Sequence, residues 1–93
     1  MNTFSFEKIN ERLENLVGWK YENNCITKTF TFKNFSENFS FMTRIAMLAE
    51  TYNHHPDWSG GYKNLIIRFS THDASGVTEL DFKLALEIEK LLK

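Results

Sequence analysis

Residues 50–58 read ETYNHHPDW, and the fold turns on how that stretch is taken. Pro56, the chain's one proline, disfavours helical backbone at the residue before it. His55 is therefore expected to be extended, and the helix leading in is expected to end near Asn53 or His54. Glu50 and His54 stand four apart, so they share a helix face if the last turn persists. Two imidazoles, a carboxylate and a rigid stop then fall where the backbone changes direction.

Working back from this break, residues 35–53 are expected to form the central helix, opened by Asn34 with Glu37 in the manner of a capping box. Its apolar residues make two stripes: Phe35, Phe39, Met42, Ala46 and Ala49, and then Phe41, Ile45, Leu48 and Tyr52. A helix apolar on two sides needs two covering surfaces. A sheet is expected on one, and a neighbouring helix or second subunit on the other. Before it, residues 25–33 (CITKTFTFK) alternate with a period of two: Ile26, Phe30 and Phe32 on one face, Thr27, Thr29 and Thr31 on the other, and Lys28 as the exception on the apolar side. Asn23-Asn24 suits a tight turn back to a short strand over residues 19–22. Residues 5–17 read as a first helix capped by Ser5, with Phe6, Ile9, Leu13 and Leu16 as its stripe and Gly18 as its stop.

Working forward, Ser59-Gly60-Gly61 marks a turn, and residues 62–70 alternate Leu65, Ile67 and Phe69 against Ile66 and Arg68. A third helix is expected from about 78 to 92, with Thr78 and Asp81 as its N-terminal cap pattern and Leu80, Leu84, Ile88 and Leu91 as its buried stripe. The order α-β-β-α-β-β-α, with the third strand short, gives one α+β domain over residues 1–93. Its sheet is expected to be four-stranded and antiparallel, with three helices on one face.

Composition limits what such a domain can do. A chain of 93 residues buries only about 60–65% of its unfolded surface, so self-association would help its stability. Nine phenylalanines are generous for that length, and some can serve an interface as well as the core. A formal charge of −1, with no basic run longer than two, gives no electrostatic reason to expect nucleic acid or an anionic membrane as partner. Cys25 is alone, so no internal disulfide is expected, and it has no basic neighbour to activate it as a nucleophile. The N-terminal stretch MNTFSFEKINERLENL has no continuous apolar segment. No signal peptide is expected, and the location expected is cytoplasmic.

All three histidines fall at element ends, His54 and His55 after the central helix and His72 after the last strand, where one rim of the sheet can gather them. Imidazole, with an ordinary pKa of about 6.5, both gives and takes protons at neutral pH, so such a group suits acid–base catalysis of an elimination. The same residues also serve ordinary proteins as surface groups or helix C-caps. A metal site is not expected, because the chain lacks both a histidine pair at i, i+4 and paired cysteines. Trp58 and Tyr62 flank the turn, either as core or as a stacking wall for a flat heterocycle.

At these residues the chain resembles the pterin-4a-carbinolamine dehydratase family. The resemblance rests on Glu50, His54-His55-Pro56 followed by Asp57-Trp58, Tyr62, His72 and Asp81, and on the flanking runs FMTRIAMLAE and STHDASGVTELD. It extends from about Trp19 to the C-terminus. It implies dehydration of 4a-hydroxytetrahydropterin to quinonoid dihydropterin, supporting tetrahydrobiopterin recycling, with neither metal nor organic cofactor, in a homodimer or homotetramer built through the 35–53 helix. By the family motif His54 and His72 match the acid–base pair and His55 a catalytic-site residue that orients the pterin. Pro56, Trp58, Thr71, Asp73 and Ala74 are expected to contact substrate beside the histidines, and Glu50 and Asp81 match supporting carboxylates. Asn53 and Leu80 depart from residues common in relatives, which bears on the support around the histidines. The resemblance leaves two alternatives open: a dimerisation coactivator binding a helical protein partner through Phe41, Ile45, Leu48 and Tyr52, and action on another pterin of folate or molybdopterin metabolism.

Overall fold

In the computed structural model, residues 2–92 are described. They run α1 (Phe6–Leu13), β1 (Lys20–Glu22), β2 (Cys25–Thr31), α2 (Phe35–Tyr52), β3 (Asp57–Gly60), β4 (Asn64–Phe69), a 3₁₀ turn (His72–Ala74) and α3 (Glu79–Leu91). The four strands form one antiparallel sheet in the order β1-β2-β4-β3. Asn23 and Asn24, both at positive φ (52° and 65°), close the first hairpin, as expected for a two-residue turn whose twist matches its strands. Gly60, at φ 132°, ends β3, and a Cβ there would run into the Asn64 carbonyl oxygen.

The period-two patterns set the register. Ile26 pairs with Phe69 and Phe30 with Leu65, so the buried residues of β2 and β4 stand side by side on the face that meets the helices. Ile9, Phe41, Ile45, Phe82, Leu84 and Ile88 complete that core, while Trp19 stacks on Phe69 with 6.3 Å between ring centroids. Lys28, the exception on the apolar face, has partners there. Its Nζ donates to Glu89 at 2.8 Å and to the Val17 carbonyl at 2.9 Å, and Trp19 Nε1 donates to the same carboxylate. A charge kept off water is tolerable only with such partners.

Four expectations change. The first helix ends at Leu13 instead of residue 17, because the chain turns so that Leu16 and Trp19 can enter the core; Phe6 stays exposed. On the central helix the stripe assigned to a partner is the one the monomer buries: Phe41 and Ile45 lie against the sheet, while Phe35, Phe39 and Met47 are the large apolar side chains left outside. On α3, Asp81, Phe82 and Ala85 are fully buried, whereas Leu80 and Leu91 are only partly covered. Thr27, placed on the outer face by alternation, is nonetheless buried. Its cross-strand neighbours Lys20 and Arg68 have long stems that can cover it.

Asn38, polar and wholly buried on α2, ties the helix to the second hairpin. Its side-chain amide donates to the carbonyls of Gly61, Tyr62 and Asn64. Without it, the Gly61 and Tyr62 carbonyls lose this donor, while the Asn64 carbonyl keeps only the Gly61 N–H. Asn38→Ala is expected to destabilise the chain by about 1–3 kcal/mol in denaturant unfolding; an unchanged midpoint would contradict the anchoring role.

Candidate active site

The end of α2 positions two of the histidines. Asn53 takes the left-handed conformation (φ 49°, ψ 45°), a state asparagine tolerates better than most residues. The Asn53 N–H then bonds to the Glu50 carbonyl at 3.2 Å and the His54 N–H to the Ala49 carbonyl at 3.0 Å, which together make a Schellman end. This reversal takes His54 out of helical register. His54 therefore does not share a face with Glu50 but turns inward, with its ring 5.7 Å from Phe69 and nearly parallel to it. Glu50 pairs instead with His55, whose Nε2 lies 2.5 Å from the Glu50 carboxylate at the surface.

Beneath His54 lies Asp81, the third residue of α3 and wholly buried. Its Oδ1 is 2.5 Å from His54 Nε2. Its Oδ2 accepts from the Thr78 N–H at 2.8 Å and from the Thr71 hydroxyl at 2.9 Å. A helix N-terminus favours negative charge, and three donors make this burial of a carboxylate tolerable. The reciprocal Thr78–Asp81 cap matches the sequence pattern, but the second use of Asp81, under an imidazole, carries no local sequence signal.

His72 arrives from the other direction. After β4, Thr71 pairs with Gly76 in an isolated bridge, and the 3₁₀ turn between them presents His72 to solvent. His54, His55 and His72 thereby line one open cleft of about 490 Å³, together with Thr71, Asp73 and Ala74. Asn53, Ser70 and Leu80 also line it, and sequence reasoning had not placed Ser70 there. A second cleft of about 460 Å³ shares His55, Ser70 and His72 and continues past Pro56 to Asp57 and Arg68. Both volumes suit a small heterocyclic ligand.

Not every candidate is gathered here. Trp58 pairs with Ile67 on the helix side of the sheet and lines a separate apolar groove of about 280 Å³ with Phe35, Phe39 and Met42. Glu50 lies outside both clefts and reaches them only through His55. Tyr62 is exposed. Cys25 borders the second cleft, but burial pushes its thiol above the ordinary range, which disfavours the thiolate a nucleophile needs. Among the described residues, no group of three or more His, Cys, Asp or Glu side chains is arranged to hold a metal ion. No helix among them is long and apolar enough to cross a membrane.

Comparison with known proteins agrees across sequence and structure. The family model described as pterin 4 alpha carbinolamine dehydratase matches residues 2–91. A relative from Christiangramia forsetii bearing the same family name is 48% identical over 93 residues, covering 100% of this chain and 96% of its own. Another such relative, from Sinorhizobium fredii, is 49% identical over 86 residues, 90% of this chain and 82% of that one. A crystal structure from Brucella melitensis, titled a transcriptional coactivator/pterin dehydratase, superposes with a TM-score of 0.95 at 37% identity, covering 99% of this chain and 100% of the other.

Proposed function

This chain belongs to the pterin-4a-carbinolamine dehydratase family, and on that premise we propose that it dehydrates a 4a-hydroxytetrahydropterin to the quinonoid dihydropterin at the three-histidine cleft. The observation that carries the reading is the gathering of His54, His55 and His72, from two separate segments, around one cleft. The reaction removes water without any change of oxidation state. The C4a–O bond breaks, the ring nitrogen beside C4a supplies the electron pair for the new double bond, and that nitrogen gives up its proton. One group must protonate the departing hydroxyl and another must take the nitrogen's proton.

The surroundings of the imidazoles suggest how they divide this work. His54 is held at Nε2 by Asp81, so its other nitrogen is the one free to take a proton, and the carboxylate then stabilises the resulting imidazolium. His72, exposed and without a side-chain hydrogen bond among the described residues, suits the acid that protonates the leaving oxygen. His55, steadied by Glu50 at the junction of the two clefts, is placed to orient the ring. Pro56 and the 3₁₀ turn with Asp73 and Ala74 form the walls. The second cleft leaves room for a ring substituent, so other pterins fit the same chemistry. The family's hydro-lyase reaction draws on no metal or organic cofactor in this scheme, since side-chain acids and bases supply each proton.

A second property is supported by the groove beside α2. Phe35 and Phe39 are 51% and 55% exposed, next to Met42 and Trp58, and exposed aromatics so grouped mark an association surface. This supports a homodimer or homotetramer through the outer face of α2, or the docking of a helical protein partner there. Sedimentation at micromolar concentration should show a species heavier than the 11.0 kDa monomer, which the double substitution Phe35→Ser/Phe39→Ser should dissociate. A monomer alone in the unaltered protein would contradict self-association.

For the reaction, replacing His54 and His72 together with Ala should lower the catalysed rate by about 10²–10⁴-fold. His72→Ala alone, at an exposed site, makes the same test without stranding Asp81. An undiminished rate in a folded double variant would end the assignment.

A further inference from the structure

The direction of the protons around Asp81 can be worked out from donor and acceptor counts. An ionised carboxylate only accepts. The Thr71 hydroxyl has one proton, and it goes to Asp81 Oδ2 at 2.9 Å. Thr78 Oγ1 lies 2.6 Å from Thr71 Oγ1 and accepts from the Leu80 N–H at 3.3 Å. Its own proton must therefore point at Thr71. Each hydrogen bond then runs the same way, from the first turn of α3 through Thr78 and Thr71 into Asp81. Thr78 and Asp81 are fully buried and Thr71 nearly so, which leaves little room for water to reverse the order. At the far oxygen, Oδ1 must accept from His54, so Nε2 carries the proton and the Nδ1 lone pair is left free.

Thr71 differs from the other members of this chain of hydroxyls in its position. It directly precedes His72, and its backbone holds the turn that presents His72: its N–H donates to the Gly76 carbonyl at 2.7 Å and its carbonyl accepts from Ala74 at 3.0 Å. One residue thus fixes the turn carrying one imidazole through its backbone, and grips the carboxylate beneath the other through its side chain.

We propose that Thr71 is a positioning residue for the dehydration: its hydroxyl helps hold His54 as the Nε2–H tautomer, while its backbone fixes the turn that carries His72. This rests on the dehydratase reading above. It is distinct from the substrate contact that the resemblance implies for Thr71. An ordinary helix cap would also use these groups, but a cap affects melting alone, whereas a positioning role reaches the tautomer of His54 and the turnover step.

Thr71→Val removes the hydroxyl at nearly constant volume, and Thr71→Ser keeps it. With ¹⁵N-histidine NMR at a pH where the imidazoles are neutral, the unaltered protein should show His54 protonated at Nε2, and Thr71→Val should bring in the second tautomer. In the same variant kcat should fall roughly tenfold, a fraction of what acid–base catalysis supplies, with KM changed less than about threefold. Thr71→Ser should restore both. Should Thr71→Val fail to fold, Thr71→Ala and the spectrum of the unaltered protein carry the test. His54 protonated at Nδ1, or a kcat and a spectrum indifferent to loss of the hydroxyl, would overturn the inference while leaving the dehydratase reading intact. A chain that dehydrates no pterin, yet shows the Nε2–H tautomer and its loss in Thr71→Val, would count for the network and against the dehydratase reading.

Discussion

The hydrogen bond between His54 and Asp81 joins the end of α2 to the start of α3, and the arrangement of the cleft follows from it. A carboxylate with no exposed surface is costly unless its lone pairs are met, and leaving one such acceptor without its donor costs about 1–3 kcal/mol or more. Asp81 therefore constrains three segments together. His54 must turn inward, Thr78 must cap the helix, and Thr71 must lie close enough to donate. The Schellman end at Asn53 makes the first of these geometrically possible, because a helix continuing through residue 54 would point that imidazole elsewhere.

Much of this was legible from residue patterns. Period-two alternation located β2 and β4, and the paired asparagines located the turn before β2. The Thr78–Asp81 spacing located the start of α3, and Pro56 located the end of α2 to within a residue. These are local signals, each written within a few positions of the feature it specifies. What was not legible depended on contacts far apart in sequence. Nothing near Asn38 indicates that it will hold the 61–64 loop, and nothing near Asp81 indicates that its outer oxygen will face an imidazole 27 positions away. The pairing of Glu50 with His55 instead of His54 turned on one left-handed residue, which spacing rules for a continuous helix cannot foresee. The two stripes of α2 were visible, but which one met the sheet was decided by the register of the other elements.

The chain keeps its polar chemistry and its exposed apolar surface on different parts of the fold. The imidazoles cluster at the rim where α2 ends, β4 ends and α3 begins, while Phe35 and Phe39 sit at the opposite end of α2 beside Trp58. Association through the aromatic groove would leave the cleft open to substrate, so catalysis and docking need not compete for the same residues. That separation gives a physical basis on which one small domain can carry both a dehydratase site and a surface for another chain.

The proposed dehydration requires three imidazoles to surround a single flat ring. The most direct measurement is a crystal structure of the protein soaked with a dihydropterin. The bicyclic ring is expected in the cleft among His54, His55 and His72, within hydrogen-bond reach of His54 and of the turn that carries His72. A ring bound in the Phe35–Trp58 groove, with the histidine cleft holding none, would contradict it.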